Sequence, residues 1–110
     1  MNEWKQVHEL VQWLNSHNEV DSHEVAMRLM KIGEEFGEVM EAYGGVYKQN
    51  PRKDDIYTRF DVMYELCDVI TTAMVALVTF SDDLESAQMT FEARLKVLTD
   101  RIDTGKLTHD

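Results

Sequence analysis

The sequence predicts an all-α fold, a small helical bundle, on three observations. Apolar residues recur at three- and four-residue steps through most of the chain, the period of a helix with one apolar face. One proline and five glycines in 110 residues leave long stretches free of helix breakers. No repeat, low-complexity run or strand-like alternation competes with that pattern. The length suits one domain, expected over residues 1–102, with 103–110 as a frayed tail.

The first helix is expected from Asn2 to His17, with Trp4, Val7, Val11 and Leu14 along one face. A polar break follows at 18–22. Asp21 has N-cap character, and Glu24 stands three residues on, the capping-box spacing. The second helix is expected to reach Tyr43, with Val25, Leu29, Ile32, Phe36, Val39 and Tyr43 as its apolar stripe. Gly44-Gly45 then supplies a stop, because glycine accepts the conformation found just past a helix.

The connection from Gly45 to Tyr57 is long for so short a chain, and it carries Asn50-Pro51-Arg52-Lys53. A loop of that length in a compact domain calls for a function. Thr58 and Asp61 have capping-box spacing before a third helix that runs to Phe80. Its second half, VITTAMVALVTF, has no charge on any side. A helix apolar all round is buried all round, so packing against a second subunit is expected there. Ser81 is the expected cap of a fourth helix reaching Ile102, with Leu84, Ala87, Phe91, Leu95, Leu98 and Ile102 on one face.

Composition narrows the function classes. Net charge is −10, which argues against a nucleic acid polymer as partner, since that needs a basic surface. The single cysteine, Cys67, excludes an intrachain disulfide and fits a reducing cytosol. Its apolar neighbours make it read as a small buried residue. The charged N-terminus does not resemble a signal peptide. The uncharged run Val69–Phe80 would rise only about 18 Å as a helix, short of a bilayer core. These features predict a cytoplasmic protein with no membrane partner.

The residues with chemical potential are acidic. Each helical residue advances about 100°, so Glu34, Glu38 and Glu41 form a ridge on the second helix, with Glu35 closer to the apolar stripe. Asp61, Glu65 and Asp68 form a matching ridge on the third. A row of glutamates opposite an apolar stripe is ordinarily a solvated face. Two features tell against that here. Like charges at i,i+4 destabilise a helix by roughly 0.2–0.5 kcal/mol per pair, with Lys31 the cation within a turn of the first ridge. Glu65 and Asp68 also open onto the charge-free half of their helix, where carboxylates need a partner or a metal. Oxygen-only ligands suit a hard divalent cation.

At these residues the sequence resembles the all-α nucleoside triphosphate pyrophosphohydrolases of the MazG-like type. Their E-E-x-x-E and E-x-x-D motifs read here as Glu34-Glu35-Phe36-Gly37-Glu38 and Glu65-Leu66-Cys67-Asp68. The flanks KIGEEFGEVMEAY and YELCDVITTAMVAL are similar too, and the resemblance spans about residues 4 to 100. It implies a four-helix-bundle-like MazG fold completed by dimerisation, as a homodimer or a tetramer of two dimers. It further implies magnesium, with manganese able to substitute, bound by Glu35, Glu38, Glu65 and Asp68. The implied reaction converts a nucleoside triphosphate and water to monophosphate and pyrophosphate, as house-cleaning of nucleotide pools. Glu34 and Glu38 are the candidates to take the water's proton. Lys31, Arg52 and Lys53 are candidate phosphate contacts, and Trp13 is a candidate to stack on the base. Two competing expectations are a phosphoribosyl-ATP pyrophosphohydrolase using the same metal logic and a non-catalytic acidic helical interaction module.

Overall fold

The computed structural model describes residues 2–47 and 57–104, and every regular element among them is an α-helix. The helices are α1 (Glu3–His17), α2 (Ser22–Val46), α3 (Arg59–Phe80) and α4 (Leu84–Asp103). Four polar caps set the starts. The Asn2 side chain accepts from the Trp4 and Lys5 amides, Asp21 from Glu24, Thr58 from Asp61 and Asp83 from Ser86. Each satisfies an amide that has no partner inside its helix. At α3 the expected capping box forms in both directions, with the Asp61 carboxylate accepting from the Thr58 amide at 2.7 Å.

Two ends differ from expectation. Ser81 does not cap α4. Its hydroxyl donates to the Leu77 carbonyl at 2.7 Å and closes α3, which leaves the α4 cap to Asp83. The pair Gly44-Gly45 does not stop α2, which runs on to Val46. The Tyr57 ring lies against Gly45 so closely that any Cβ there would collide with it. That glycine serves close approach, not chain reversal.

α2 and α3 form an antiparallel pair, and α1 lies along α3. The α1 and α2 backbones stay apart, leaving a groove floored by α3. α4 packs on α1 and α3 through its first half, where Leu84 and Ala87 join Val7, Val11, Val75 and Val78 in the core and Phe91 meets Trp4. Farther along, Leu95 and Ile102 of its apolar stripe are exposed. The four-helix bundle is therefore open on the α4 side. The radius of gyration of 17.0 Å compares with about 13 Å for a compact domain of this length.

The core is thin. The buried apolar residues described are valines and alanines alone: Val7, Val11, Val39, Ala42, Val75, Ala76, Val78 and Ala87. Trp4 packs against this cluster and meets Phe91 at a tilt of 54°, with centroids 5.9 Å apart. The expected α2 stripe is only partly inside. Val39 is buried, and Val25 and Ile32 are half-buried, but Leu29, Phe36 and Tyr43 are exposed. α2 is rotated so that Arg28, Glu35, Val39 and Ala42 face the interior instead.

α3 also departs from expectation. Its charge-free second half is partly covered within the chain, with Val75, Ala76 and Val78 buried. The first half is the barer one, exposing Phe60, Met63, Tyr64, Leu66 and Ile70. Cys67 shares that bare face and is exposed. α3 is long and apolar enough to cross a membrane by length and mean hydropathy. Its carboxylates Asp61, Glu65 and Asp68 are nevertheless confined to one half and half-buried.

Candidate metal centre and adjoining pocket

The antiparallel pairing of α2 and α3 brings the two acidic motifs together. Glu35, Glu65 and Asp68 each offer a carboxylate oxygen, and these oxygens lie within 4.8 Å of one another. All three residues are half-buried. Glu65 and Asp68 share a helix face at i,i+3, and Glu35 reaches them because α2 turns its 28–35–42 face toward α3. The helix seam, elsewhere filled by valine and alanine, is filled here by charge.

Of the four expected ligands, the structure gathers three. Glu38 lies farther round α2 and is exposed. It is still close enough to act on Glu65. Desolvation, reinforced by the charges of Asp68, Glu38, Glu35 and Asp61, pushes the Glu65 carboxyl above its ordinary value. Burial and neighbouring like charge both disfavour the ionised form of a carboxyl group. The donor set fits a hard divalent ion: oxygen ligands only, from two rigid helices, with room for water on the exposed side. Magnesium suits the residues present, and among the described residues no histidine or thiolate joins the cluster to favour a softer metal.

Lys31 supplies a local positive charge. Its Nζ lies 3.3 Å from Glu35 Oε1 and 3.4 Å from Glu34 Oε1. The hydrogen bond to Glu35, with Glu34 beside it, raises the lysine's pKa and keeps it charged. Glu34 is otherwise exposed, with 65% of its side chain open to solvent. Arg52 and Lys53 lie outside the described residues.

A pocket of about 520 Å³ occupies the groove between α1 and α2, and its lining residues Lys31 and Thr72 contact Glu35 and the Asp68 backbone of the acidic cluster. Leu10, Trp13 and Leu14 form one wall, Met27 faces them from α2, and Val75 is on the floor. Lys31 and Glu34 line the same pocket, as does Thr72, whose hydroxyl donates to the Asp68 carbonyl at 2.9 Å. Trp13 stacks on His17 with centroids 4.3 Å apart, and the His17 Nδ1 is 2.9 Å from the Trp13 carbonyl. The indole thus borders the pocket with His17 against its ring. The arrangement places an aromatic-walled apolar cavity beside a carboxylate cluster.

The sequence reading passes over one residue that organises this groove. Arg28 is buried, at 6% exposure. Its Nε donates to Glu24 at 2.9 Å, one terminal nitrogen donates to Thr79 at 3.0 Å and the other to Asn15 at 2.9 Å. One guanidinium therefore ties α1, α2 and α3 together where the α1 and α2 backbones stand apart. The available signal was the i,i+4 spacing of Glu24 and Arg28. The Glu24 side chain is consequently turned to Arg28, so the capping box expected at α2 is only half made, through Asp21.

The chain matches no family model, no curated protein and no solved structure.

Proposed function

We propose that the protein is a magnesium-dependent nucleoside triphosphate pyrophosphohydrolase that helps clear nucleotide pools in the cytoplasm. The observation that carries this reading is the convergence of Glu35, Glu65 and Asp68 on one side of the α2–α3 seam, next to Lys31 and Thr72, which line the pocket walled by Trp13. A nucleoside triphosphate has the matching halves, a flat apolar base and an anion that needs a metal in a protein of charge −10. The MazG-like motif resemblance assigns the same residues to the same chemistry.

In this reading Glu35, Glu65 and Asp68 hold magnesium, with Glu38 beside them as a further ligand. The bound cation would polarise the phosphoryl oxygens and offset charge on the leaving group. Water's oxygen bonds to the α-phosphorus, the bond from that phosphorus to the bridging oxygen breaks, and pyrophosphate departs. Glu34 or Glu38 takes the water's proton. Lys31 is the α2 cation placed to meet phosphate once Glu35 turns to the metal. Trp13 gives the base a face to stack on.

A second copy of the chain is part of the proposal. The outer face of α2 carries Leu29, Phe36, Met40 and Tyr43, all exposed. Gly33 and Gly37 lie among them with nothing within 4 Å of a hypothetical Cβ, so no contact among the described residues accounts for two glycines inside a helix. A chain this short with a valine and alanine core gains from burying such a face in a homodimer, or in a tetramer of two dimers.

The test is pyrophosphate release from nucleoside triphosphates with magnesium or manganese, in the wild type and in Asp68→Asn and Glu38→Gln. Metal-dependent release that Asp68→Asn abolishes is expected. Full activity in both variants would refute the reading.

A further inference from the structure

We infer that Glu24 selects substrates whose base carries an exocyclic amino group over those with a carbonyl oxygen in its place. The inference rests on the pyrophosphohydrolase reading and deepens it by naming the substrate class. Glu24 lines the pocket at the end away from the acidic cluster, together with Met27 and Arg28. Its side chain is only 18% exposed. One oxygen, Oε2, accepts from Arg28 Nε at 2.9 Å, and no donor is recorded on Oε1 among the described residues. The hydrogen bonds of Arg28 to Glu24, Asn15 and Thr79 hold that carboxylate in place.

Fixed carboxylate oxygens are acceptors only. An amino group on cytosine or adenine donates to such an oxygen. A carbonyl oxygen in the same place sets lone pair against lone pair. The ring N–H of uracil lies between two carbonyls, so a carboxylate brought to it meets one of them as well. The remaining walls are mostly apolar and discriminate weakly among rings of similar size. Glu34, Thr71 and Thr72 lie toward the acidic cluster, so at the other end of the pocket selectivity on the base edge falls to the fixed Glu24 carboxylate.

Distance supports the assignment. Glu24 and Glu35 are on the same helix, eleven residues apart, a rise of about 16 Å. A nucleotide bridges that span with its amino group at one end and its α-phosphate at the other, each needing one further contact. Trp13 and Met27 then flank the ring between the two ends.

The experiment compares two size-matched pairs, CTP with UTP and ATP with ITP, by pyrophosphate release. CMP and UMP binding is measured alongside by calorimetry with magnesium. The expected result is a preference of about tenfold or more in kcat/KM for the amino member of at least one pair, the worth of one hydrogen bond to a charged group. Glu24→Gln keeps an acceptor for Arg28 but adds an amide donor, and it should bring that ratio toward unity. CMP should bind about tenfold tighter than UMP, and the same substitution should level the two. Equal turnover within both pairs, with pyrophosphate released, overturns this inference and leaves the enzyme reading standing. Selective CMP binding without pyrophosphate release sustains this inference and refutes the enzyme reading. Binding of neither monophosphate, with no turnover, overturns both.

Discussion

The inner seam of the α2–α3 pair and the outer faces of the same two helices have exchanged the usual roles. Inside, Glu35, Glu65 and Asp68 stand half-buried with their oxygens within 4.8 Å of one another. Outside, Leu29, Phe36 and Met40 of α2 and Met63, Leu66 and Ile70 of α3 face solvent. A helix that only needed solubility would put its charge out and its apolar groups in. Under the proposed function, the seam charge answers to a ligand and the bare faces answer to a partner. The two regions are also separable, because substitutions in one need not touch the other.

The largest expected effect lies in the seam. Asp68→Asn should lower magnesium affinity by at least about 100-fold, a loss that removal of even an indirect partner can cause, and pyrophosphate release should fall with it. Calorimetric titration with magnesium checks this, and unchanged affinity would dissolve the functional half of the comparison. Next comes the clamp at the end of the groove. Arg28→Met should destabilise the fold by about 1.5–3 kcal/mol, because it leaves the half-buried Glu24 without its counter-ion and Asn15 and Thr79 without their donor. Thermal unfolding reads that loss directly.

The outer faces should respond by assembly, not by metal binding. Met40→Glu should weaken self-association by about 30-fold or more, the equivalent of roughly 2 kcal/mol at an interface centre. Sedimentation over a range of concentrations tests it, and a monomeric wild type would refute the partner half of the comparison. The cap at the α3 start is worth less. Thr58→Ala removes the acceptor for the Asp61 amide and should cost about 1 kcal/mol in urea unfolding.

The smallest effect is in pH. The Glu65 carboxyl sits above 4.5 in the folded chain because of desolvation and the surrounding carboxylates. The folded state then holds a proton that the unfolded state releases. Metal-free stability should accordingly fall as pH rises through the window just above 4.5. Glu65→Gln should flatten that fall, and magnesium should oppose it. A metal-free stability that rises through the window would show that the seam charges are already satisfied.

Much of the fold was legible because helices announce themselves locally. The 3.6-residue period located all four, and the Asp21 and Thr58 caps followed from side chains that reach only the next turn. The α1 face was read correctly, since Val7 and Val11 have no rival apolar face. The α2 face was not. Its apolar arc is wide enough to offer two faces, and periodicity cannot say which one meets α3. Leu29, Phe36 and Tyr43 were expected inside and lie outside, while Arg28 took an interior place. Cys67 failed in the same way, having apolar neighbours on a face that the chain leaves uncovered.

The candidate site divides along the same line. Sequence spacing alone put Glu65 and Asp68 on one face of α3, and it made Glu35 and Glu38 a turn of α2. Only the pairing of the helices decided that Glu35 joins the cluster while Glu38 stays at its edge, because that depends on how α2 is rotated about its axis. The pocket was also beyond the sequence, since it exists where the α1 and α2 backbones stay apart. What the chain determined by itself was its helices, their caps and its supply of carboxylates, all fixed by contacts within a turn or two. What tertiary structure decided was which carboxylates meet and which apolar faces stay bare, because those follow from contacts between residues far apart in sequence.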